Sequence, residues 1–226
     1  MLWHYLSPVA IVTTDAFIYK QIRYQLAFLI VALAMVLLSF LVAKHDAVQI
    51  FSMGTLNAVV TAEPVDLNYA AGVTWVHFGI VLALVFGFAT YVLCLPAIHS
   101  IVKWTEFIPR FGAWIVVFAA VNAFSEELIF RGVVVTLTQG QMYPWQTMLL
   151  SAILFAMAHL RGQANGWFVM AGSAIVGWFL AMAVLQTQGL FWAWCVHFVQ
   201  NIVIFTAFIA NVNGGKALHI SPLNRS

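Results

Sequence analysis

Two adjacent carboxylates, Glu126 and Glu127, are the residues of this chain best placed to do chemistry. They lie inside a long apolar stretch, Arg131 follows one helical turn later, and no Asp or Glu occurs from 128 to 226. A charged group at bilayer depth costs about 2.5 kcal/mol or far more, so such groups usually have a partner and a function. On a helix Arg131 can reach Glu127, whereas Glu126 is turned about 100° away and is placed to act as a base.

Two histidines in later apolar segments add further ionisable groups. His159 follows Phe155 by four residues and Asn201 follows His197 by four, so each pair shares one face of a helix. Either histidine alone is more often a satisfied interior polar group than a catalyst. Their joint presence in a chain with so few acidic residues favours catalysis. The structural alternative is a buried cluster that only locks helices together, although small residues join membrane helices more cheaply.

The composition indicates an integral membrane protein. Of the 226 residues, 64% are hydrophobic and 7% are charged, and several apolar runs have the length of a membrane span. The net charge of +2 is too small to suggest nucleic-acid binding, and the basic residues are spread along the chain. Cys94 and Cys195 lie in apolar segments without the spacing of a metal or redox site, which favours structural roles.

Hydropathy predicts an all-α, polytopic bundle with six spans, near residues 26–43, 73–95, 111–138, 145–160, 166–186 and 189–213. The segments 5–18 and 47–62 are apolar but shorter or interrupted. Each could be an interfacial or re-entrant helix, which would raise the count to eight. Neither a repeat nor a soluble domain is visible, so residues 1–226 are predicted to form a single membrane domain.

The distribution of basic residues predicts the orientation of the bundle. With the N-terminus inside, only Lys44 lies outside, and the cytoplasmic face carries Lys20, Arg23, Lys103, Arg110, Arg161, Lys216 and Arg225. Because cytoplasmic loops are enriched in Lys and Arg, both termini are predicted to be cytoplasmic. In a bacterial cell the membrane would be the inner, or plasma, membrane.

The predicted spans set a condition on the candidate site. They place Glu126 and His197 near the middle of the bilayer, but His159 at the cytoplasmic end of its helix. The three side chains therefore meet only if helices are offset, tilted or broken. Gly132, just after the acidic pair, is a plausible bend point.

Three short motifs follow one another in the second half of the chain. Glu126 to Arg131 fits E-E-x-x-x-R, Phe155 to His159 fits F-x-x-x-H, and His197 to Asn201 fits H-x-x-x-N. Together and in this order they resemble the CPBP intramembrane proteases, the CAAX prenyl endopeptidases and bacteriocin-processing enzymes also called the Abi family. The resemblance covers residues 110–210, the expected catalytic core helices, and leaves 1–109 as accessory N-terminal helices.

The resemblance implies an endopeptidase that cuts a membrane-associated protein or peptide within the lipid bilayer. In such an enzyme Glu126, assisted by His159, would deprotonate a water that attacks the scissile carbonyl. His197 and Asn201 would donate hydrogen bonds to the resulting oxyanion. The supporting residues would be Glu127, Arg131 and Phe155. The motifs do not choose between a prenylated substrate, a leader peptide and a C-terminal sorting signal.

Several alternatives stay open from the residues alone. Glu126, His159 and His197 also form a possible zinc ligand set, but nothing resembles H-E-x-x-H, so a site without cofactor is favoured. A non-catalytic scaffold or immunity-type relative would keep the cluster for packing. A haem electron carrier with both histidines as ligands would leave the acidic pair unexplained. A transporter is disfavoured because no inverted repeat is visible.

Overall fold

A computed structural model of the chain describes residues 13–43, 52–61, 72–101, 103–160 and 166–214. Six helices account for most of these residues: α1 Thr14–Ala43, α2 Trp75–Ile98, α3 Trp104–Thr138, α4 Pro144–His159, α5 Gly166–Thr187 and α6 Phe191–Asn213. Within these ranges there is no β-strand, and Val59 and Thr74 form one isolated bridge. The prediction of an all-α, polytopic helical bundle is confirmed.

Five of the six predicted spans are helices long and apolar enough to cross a membrane, namely α1, α2, α3, α5 and α6. The helix near the remaining span, α4, has 16 residues. At 1.5 Å per residue it is about 24 Å long, less than the roughly 30 Å of a hydrocarbon core. The described part of the chain therefore has five helices of spanning length and one shorter helix where six spans were predicted.

The N-terminal boundary differs from the sequence prediction. Helix α1 begins at Thr14 rather than near residue 26, so residues 14–18 of the segment 5–18 belong to α1. Thr13 precedes the helix, and residues 5–12 lie outside the described residues. Hydropathy missed this start because polar residues reduce the mean hydropathy of the first turns of α1. Those turns are nevertheless compatible with a helix, since Asp15 in the first turn interacts favourably with the helix dipole.

The segment 47–62 is not a helix where the structure describes it, at residues 52–61. Its backbone bonds to the turn between α5 and α6 instead: the Thr55 amide donates to the Thr187 carbonyl at 2.7 Å. Gly54 adopts a φ of 73° and packs against Gly189, where a side chain on either residue would clash with backbone. The possible interfacial or re-entrant helix over 47–62 is therefore not formed at residues 52–61.

A π-helical segment, Leu128–Val133, interrupts α3 directly after the acidic pair. Side-chain hydroxyl groups bond to carbonyls within it: Ser151 of α4 donates to the Phe130 carbonyl at 2.7 Å, and Thr136 donates to the Gly132 carbonyl at 2.7 Å. Such segments inside α-helices are frequent at functional sites. Gly132, the plausible bend point of the sequence, lies within this π-helical segment.

The helices around the site pack closely where one helix presents a glycine to its neighbour. Gly177 of α5 faces α4, where an added Cβ would lie 3.0 Å from the Ala152 Cα. Gly79 of α2 similarly faces the Trp192 ring on α6. Aliphatic side chains on α1, by contrast, remain exposed on the outside of the bundle, as for Leu41 at 68%. That apolar outer surface suits contact with lipid.

Helices α1 and α3 begin at the same end of the bundle. Asp15 near the start of α1 lies 4.0 Å from Arg110 near the start of α3, and Lys103 pairs with Glu106 at the same end. This grouping agrees with the predicted common location of the basic residues on these helices. That this end faces the cytoplasm stays a prediction.

Candidate active site

Helices α3, α4 and α6 bring three of the predicted catalytic side chains together. The Oε2 atom of Glu126 lies 3.6 Å from Nε2 of His197 and 3.9 Å from Nε2 of His159. Glu126 Oε2 is itself buried and has no hydrogen-bond partner. These separations exceed a direct hydrogen bond and suit a shared water molecule about 2.8 Å from each atom. His159 is the last residue of the short α4, and Glu126 lies just before the π-helical interruption of α3.

Each imidazole is oriented by a bond at its other ring nitrogen. His159 Nδ1 lies 2.8 Å from the Phe155 carbonyl oxygen, and His197 Nδ1 lies 2.7 Å from Glu127 Oε1. Because a carbonyl and a carboxylate only accept, each Nδ1 carries the hydrogen and donates it. Both Nε2 atoms therefore face Glu126, and in a neutral ring each presents a lone pair.

The second carboxylate, Glu127, is fully buried and holds the cluster together. Its Oε1 atom accepts from Arg131 at 3.0 Å as well as from His197. Arg131, also fully buried, lies 3.5 Å from the Gly177 carbonyl through its other terminal nitrogen. The E-E-x-x-x-R motif thus joins α3 to both α5 and α6.

Phe155 packs against the ionisable groups from the α4 side. The Arg131 guanidinium lies 4.3 Å from the centre of its ring, in cation–π geometry. The His159 ring centre lies at 4.5 Å, and the His197 ring meets it edge to face at 5.5 Å. The three residues predicted to support the site, Glu127, Arg131 and Phe155, all contact at least one of its histidines or each other.

Asn201 lies one turn after His197 on α6 and is 3% exposed. Its Nδ2 group is buried and makes no hydrogen bond. The structure therefore provides a free amide donor on the helix that carries His197. Its contact with a bound oxyanion stays a prediction.

Sequence reasoning missed two residues of this site. Asn122 donates from Nδ2 to Glu126 Oε1 at 2.9 Å, and Gln25 of α1 donates from Nε2 to Asn122 Oδ1 at 3.2 Å. Asn122 could have been found because it precedes Glu126 by four residues, the spacing of neighbours on one helix face. Nothing in the sequence around Gln25 indicates a contact with Asn122, because the two residues are 97 positions apart.

The spacing of Glu126, His159 and His197 bears on whether they could hold a metal ion. Among the described residues, no group of three His, Cys, Asp or Glu side chains is arranged to hold one. Tetrahedral zinc with bonds of about 2.0 to 2.1 Å places its ligand atoms roughly 3.4 Å apart. The separations of 3.6 and 3.9 Å from Glu126 to the histidines are longer. The side chains as placed do not fit zinc, and the absence of a cofactor stays a prediction.

Part of the chain is similar to a known family of proteases. Residues 108–203 match the family model described as type II CAAX prenyl endopeptidase, Rce1-like. The match agrees with the CPBP resemblance and includes every motif residue, whereas α1 and α2 lie outside it. The family points to a CAAX-type membrane protease. Neither the comparison with curated proteins nor the comparison with solved structures found a match.

Proposed function

We propose that the chain is an intramembrane endopeptidase that hydrolyses a peptide bond of a membrane-associated protein with water activated by Glu126. One observation carries the proposal: the buried, unpartnered Glu126 Oε2 faces Nε2 of both His159 and His197. The similarity of residues 108–203 to CAAX prenyl endopeptidases supports the reaction class. A prenylated or signal-bearing protein is the expected kind of substrate.

The first step places a water between Glu126 and His159. The water donates one hydrogen to Glu126 Oε2 and the other to His159 Nε2, which accepts because its Nδ1 donates to the Phe155 carbonyl. Glu126 then takes its proton as the water oxygen forms a bond to the scissile carbonyl carbon. General base catalysis of this kind contributes about 10²- to 10⁴-fold to the rate.

The second step stabilises and then collapses the tetrahedral intermediate. Asn201 donates from its free Nδ2 group to the oxyanion. His197 donates from Nε2 only when both ring nitrogens carry hydrogen, and the Glu127 carboxylate at its Nδ1 stabilises that charge. The carbon–nitrogen bond then breaks, and the leaving amine takes the proton that Glu126 accepted.

The charge of the cluster suits this sequence of steps. With neutral imidazoles, Glu126, Glu127 and Arg131 together carry one negative charge. A proton on His197 makes the group neutral overall, which reduces the cost of holding it in a low-dielectric interior. The oxyanion then forms beside a positive ring and not beside an uncompensated carboxylate.

The haem alternative fits the geometry poorly. Phe155 packs against both imidazole rings, and the Glu126 carboxylate lies at both Nε2 atoms. A haem between the histidines would have to displace both side chains. A scaffold without catalysis is distinguished by experiment, because it predicts that Glu126→Gln leaves the cellular phenotype intact.

The test begins with the substrate. Protein termini are compared in membranes of cells that contain the active chain or its Glu126→Ala variant, and a terminus that depends on Glu126 defines a peptide for assay in proteoliposomes. We expect Glu126→Gln and His159→Ala to lower kcat by at least about 10²-fold, since each removes a group that activates the water.

Two matched variants serve as controls for this assay. Glu106→Gln changes an exposed glutamate on the same helix, and His77→Ala changes an exposed histidine on α2. Both are expected to keep full activity. Full activity of purified, folded Glu126→Gln or His159→Ala would overturn the proposed mechanism.

A further inference from the structure

Two side-chain amides connect α1 to the reacting carboxylate. Gln25 donates to Asn122 at 3.2 Å, and Asn122 donates to Glu126 Oε1 at 2.9 Å. Gln25 is 3% exposed and Asn122 is 8% exposed. Buried amides of this kind are expensive to place in an apolar bundle unless their hydrogen bonds are made.

Asn122 decides which oxygen of Glu126 is available to react. Its bond occupies Oε1, and a hydrogen bond to an ionised carboxylate is stronger than one between neutral groups. The same bond fixes the rotation of the carboxylate, so that Oε2 is the oxygen that faces the two imidazoles. Without Asn122 the carboxylate could rotate and turn either oxygen away from the bound water.

Gln25 holds Asn122 in the orientation that faces Glu126. The two ends of an asparagine amide have nearly the same shape, and the hydrogen-bond partners determine which end points where. The carboxylate of Glu126 only accepts and therefore requires the Nδ2 end of Asn122, and the bond from Gln25 to Oδ1 holds the amide in that orientation. A flipped Asn122 would instead bring its carbonyl oxygen against the carboxylate.

We propose that Gln25 and Asn122 are positioning residues for the general base, so that α1 forms part of the catalytic machinery. Helix α1 lies outside residues 108–203, the part that matches the protease family. The inference rests on the proposed function, because it gives Glu126 the role of base. It also revises the view that residues 1–109 are only accessory.

Gln21 provides a matched control on the same helix. It precedes Gln25 by four residues, is 5% exposed, and its Oε1 atom makes no hydrogen bond. The two residues therefore share type, helix face and burial, but only Gln25 donates to Asn122. A purely structural contribution of a buried glutamine in α1 would affect both positions alike.

The kinetic test compares Gln25→Leu, Asn122→Leu and Gln21→Leu in the proteoliposome assay. Loss of the bond to the carboxylate should lower kcat about 10- to 100-fold in Asn122→Leu, and loss of the neutral bond about 3- to 10-fold in Gln25→Leu. KM should stay within about twofold, because substrate binding is not involved. Gln21→Leu should match the wild type.

A double variant shows whether the two amides act in series. If Gln25 acts only through Asn122, the kcat of Gln25→Leu/Asn122→Leu equals that of Asn122→Leu alone. Multiplied losses would mean separate structural effects and would overturn the proposal. Circular dichroism and thermal unfolding confirm that each variant is folded, and Asn122→Ala replaces Asn122→Leu if the larger side chain prevents insertion.

A second measurement does not depend on activity. Hydrophobic carbodiimides modify buried carboxyl groups in their protonated form, and mass spectrometry can locate the adduct on Glu126. Loss of the amide donor frees Oε1 and lets the carboxylate rotate, so modification should be about 10-fold faster in Asn122→Leu and faster to a lesser degree in Gln25→Leu. Gln21→Leu should behave as the wild type.

The kinetic and labelling measurements distinguish a failure of the proposed protease function from a failure of the positioning role. If the wild type cleaves nothing that depends on Glu126, the proposed function fails, while the labelling pattern still tests the amide chain. If the wild type is active but Gln25→Leu and Asn122→Leu match Gln21→Leu in both kcat and labelling, the positioning role is refuted.

Discussion

The buried pair of Arg131 and Glu127 gives a prediction whose size follows from its contacts. Both side chains are 0% exposed, and Arg131 Nη1 lies 3.0 Å from Glu127 Oε1. Arg131→Met removes the positive charge but keeps much of the volume over the Phe155 ring. It leaves the Glu127 carboxylate buried with His197 as its remaining partner. Loss of one member of a buried pair costs about 3 to 5 kcal/mol of unfolding free energy.

The double variant Arg131→Met/Glu127→Leu should be far less harmful than the sum of its parts. If the two residues acted independently, the losses would add to about 6 to 10 kcal/mol. Removing both leaves no charge at either position, and the main residual cost is the His197 Nδ1–H group without an acceptor, about 1 to 3 kcal/mol. We therefore expect the double variant to be more stable than either single variant.

Unfolding in mixed micelles of SDS and a mild detergent, followed by circular dichroism, measures these free energies. Arg110→Met is the control, because this side chain is 62% exposed and lies 4.0 Å from Asp15. Such an exposed pair contributes less than about 1 kcal/mol. Strictly additive losses in the double variant, or a loss at Arg110 as large as at Arg131, would refute the reasoning about the buried pair.

Three further predictions follow from the site and its supports. Asn201→Ala should lower kcat about 10²- to 10³-fold with KM unchanged, because one oxyanion donor is lost, whereas Asn211→Ala at the end of α6 should not. Treatment with EDTA should leave proteolysis intact, and a loss restored by added zinc would contradict the proposed mechanism. Gly177→Val should destabilise the bundle by about 1 to 3 kcal/mol, because its Cβ would meet α4 at 3.0 Å, whereas Gly172→Val has open space; thermal unfolding in detergent compares the two.

Spacing within single helices predicted much of the site. The pairing of Glu127 with Arg131 follows from a separation of four residues, and the structure contains it at 3.0 Å. The convergence of Glu126, His159 and His197 did not follow from spacing, since it depends on how three helices are offset. For that step the family resemblance supplied the expectation.

Contacts between segments distant along the chain were beyond the sequence. Gln25 lies 97 positions from Asn122, and nothing in either segment indicates the bond between them. The backbone of residues 52–61 forms a hydrogen bond with Thr187 at the end of α5, and a hydropathy average contains no information on such a contact. Hydropathy located the helices well because it depends on local composition, and it failed where polar residues extend α1 to Thr14.

The short length of α4 has a consequence for how a hydrolase obtains its reactant. A helix of about 24 Å beside longer neighbours cannot match the acyl chains on both sides, so the lipid next to it thins or its end admits headgroups and solvent. His159 is the last residue of α4, and its side chain is 29% exposed. We therefore expect water to reach this imidazole from the lipid–water boundary at the end of α4, without a continuous pore through the protein.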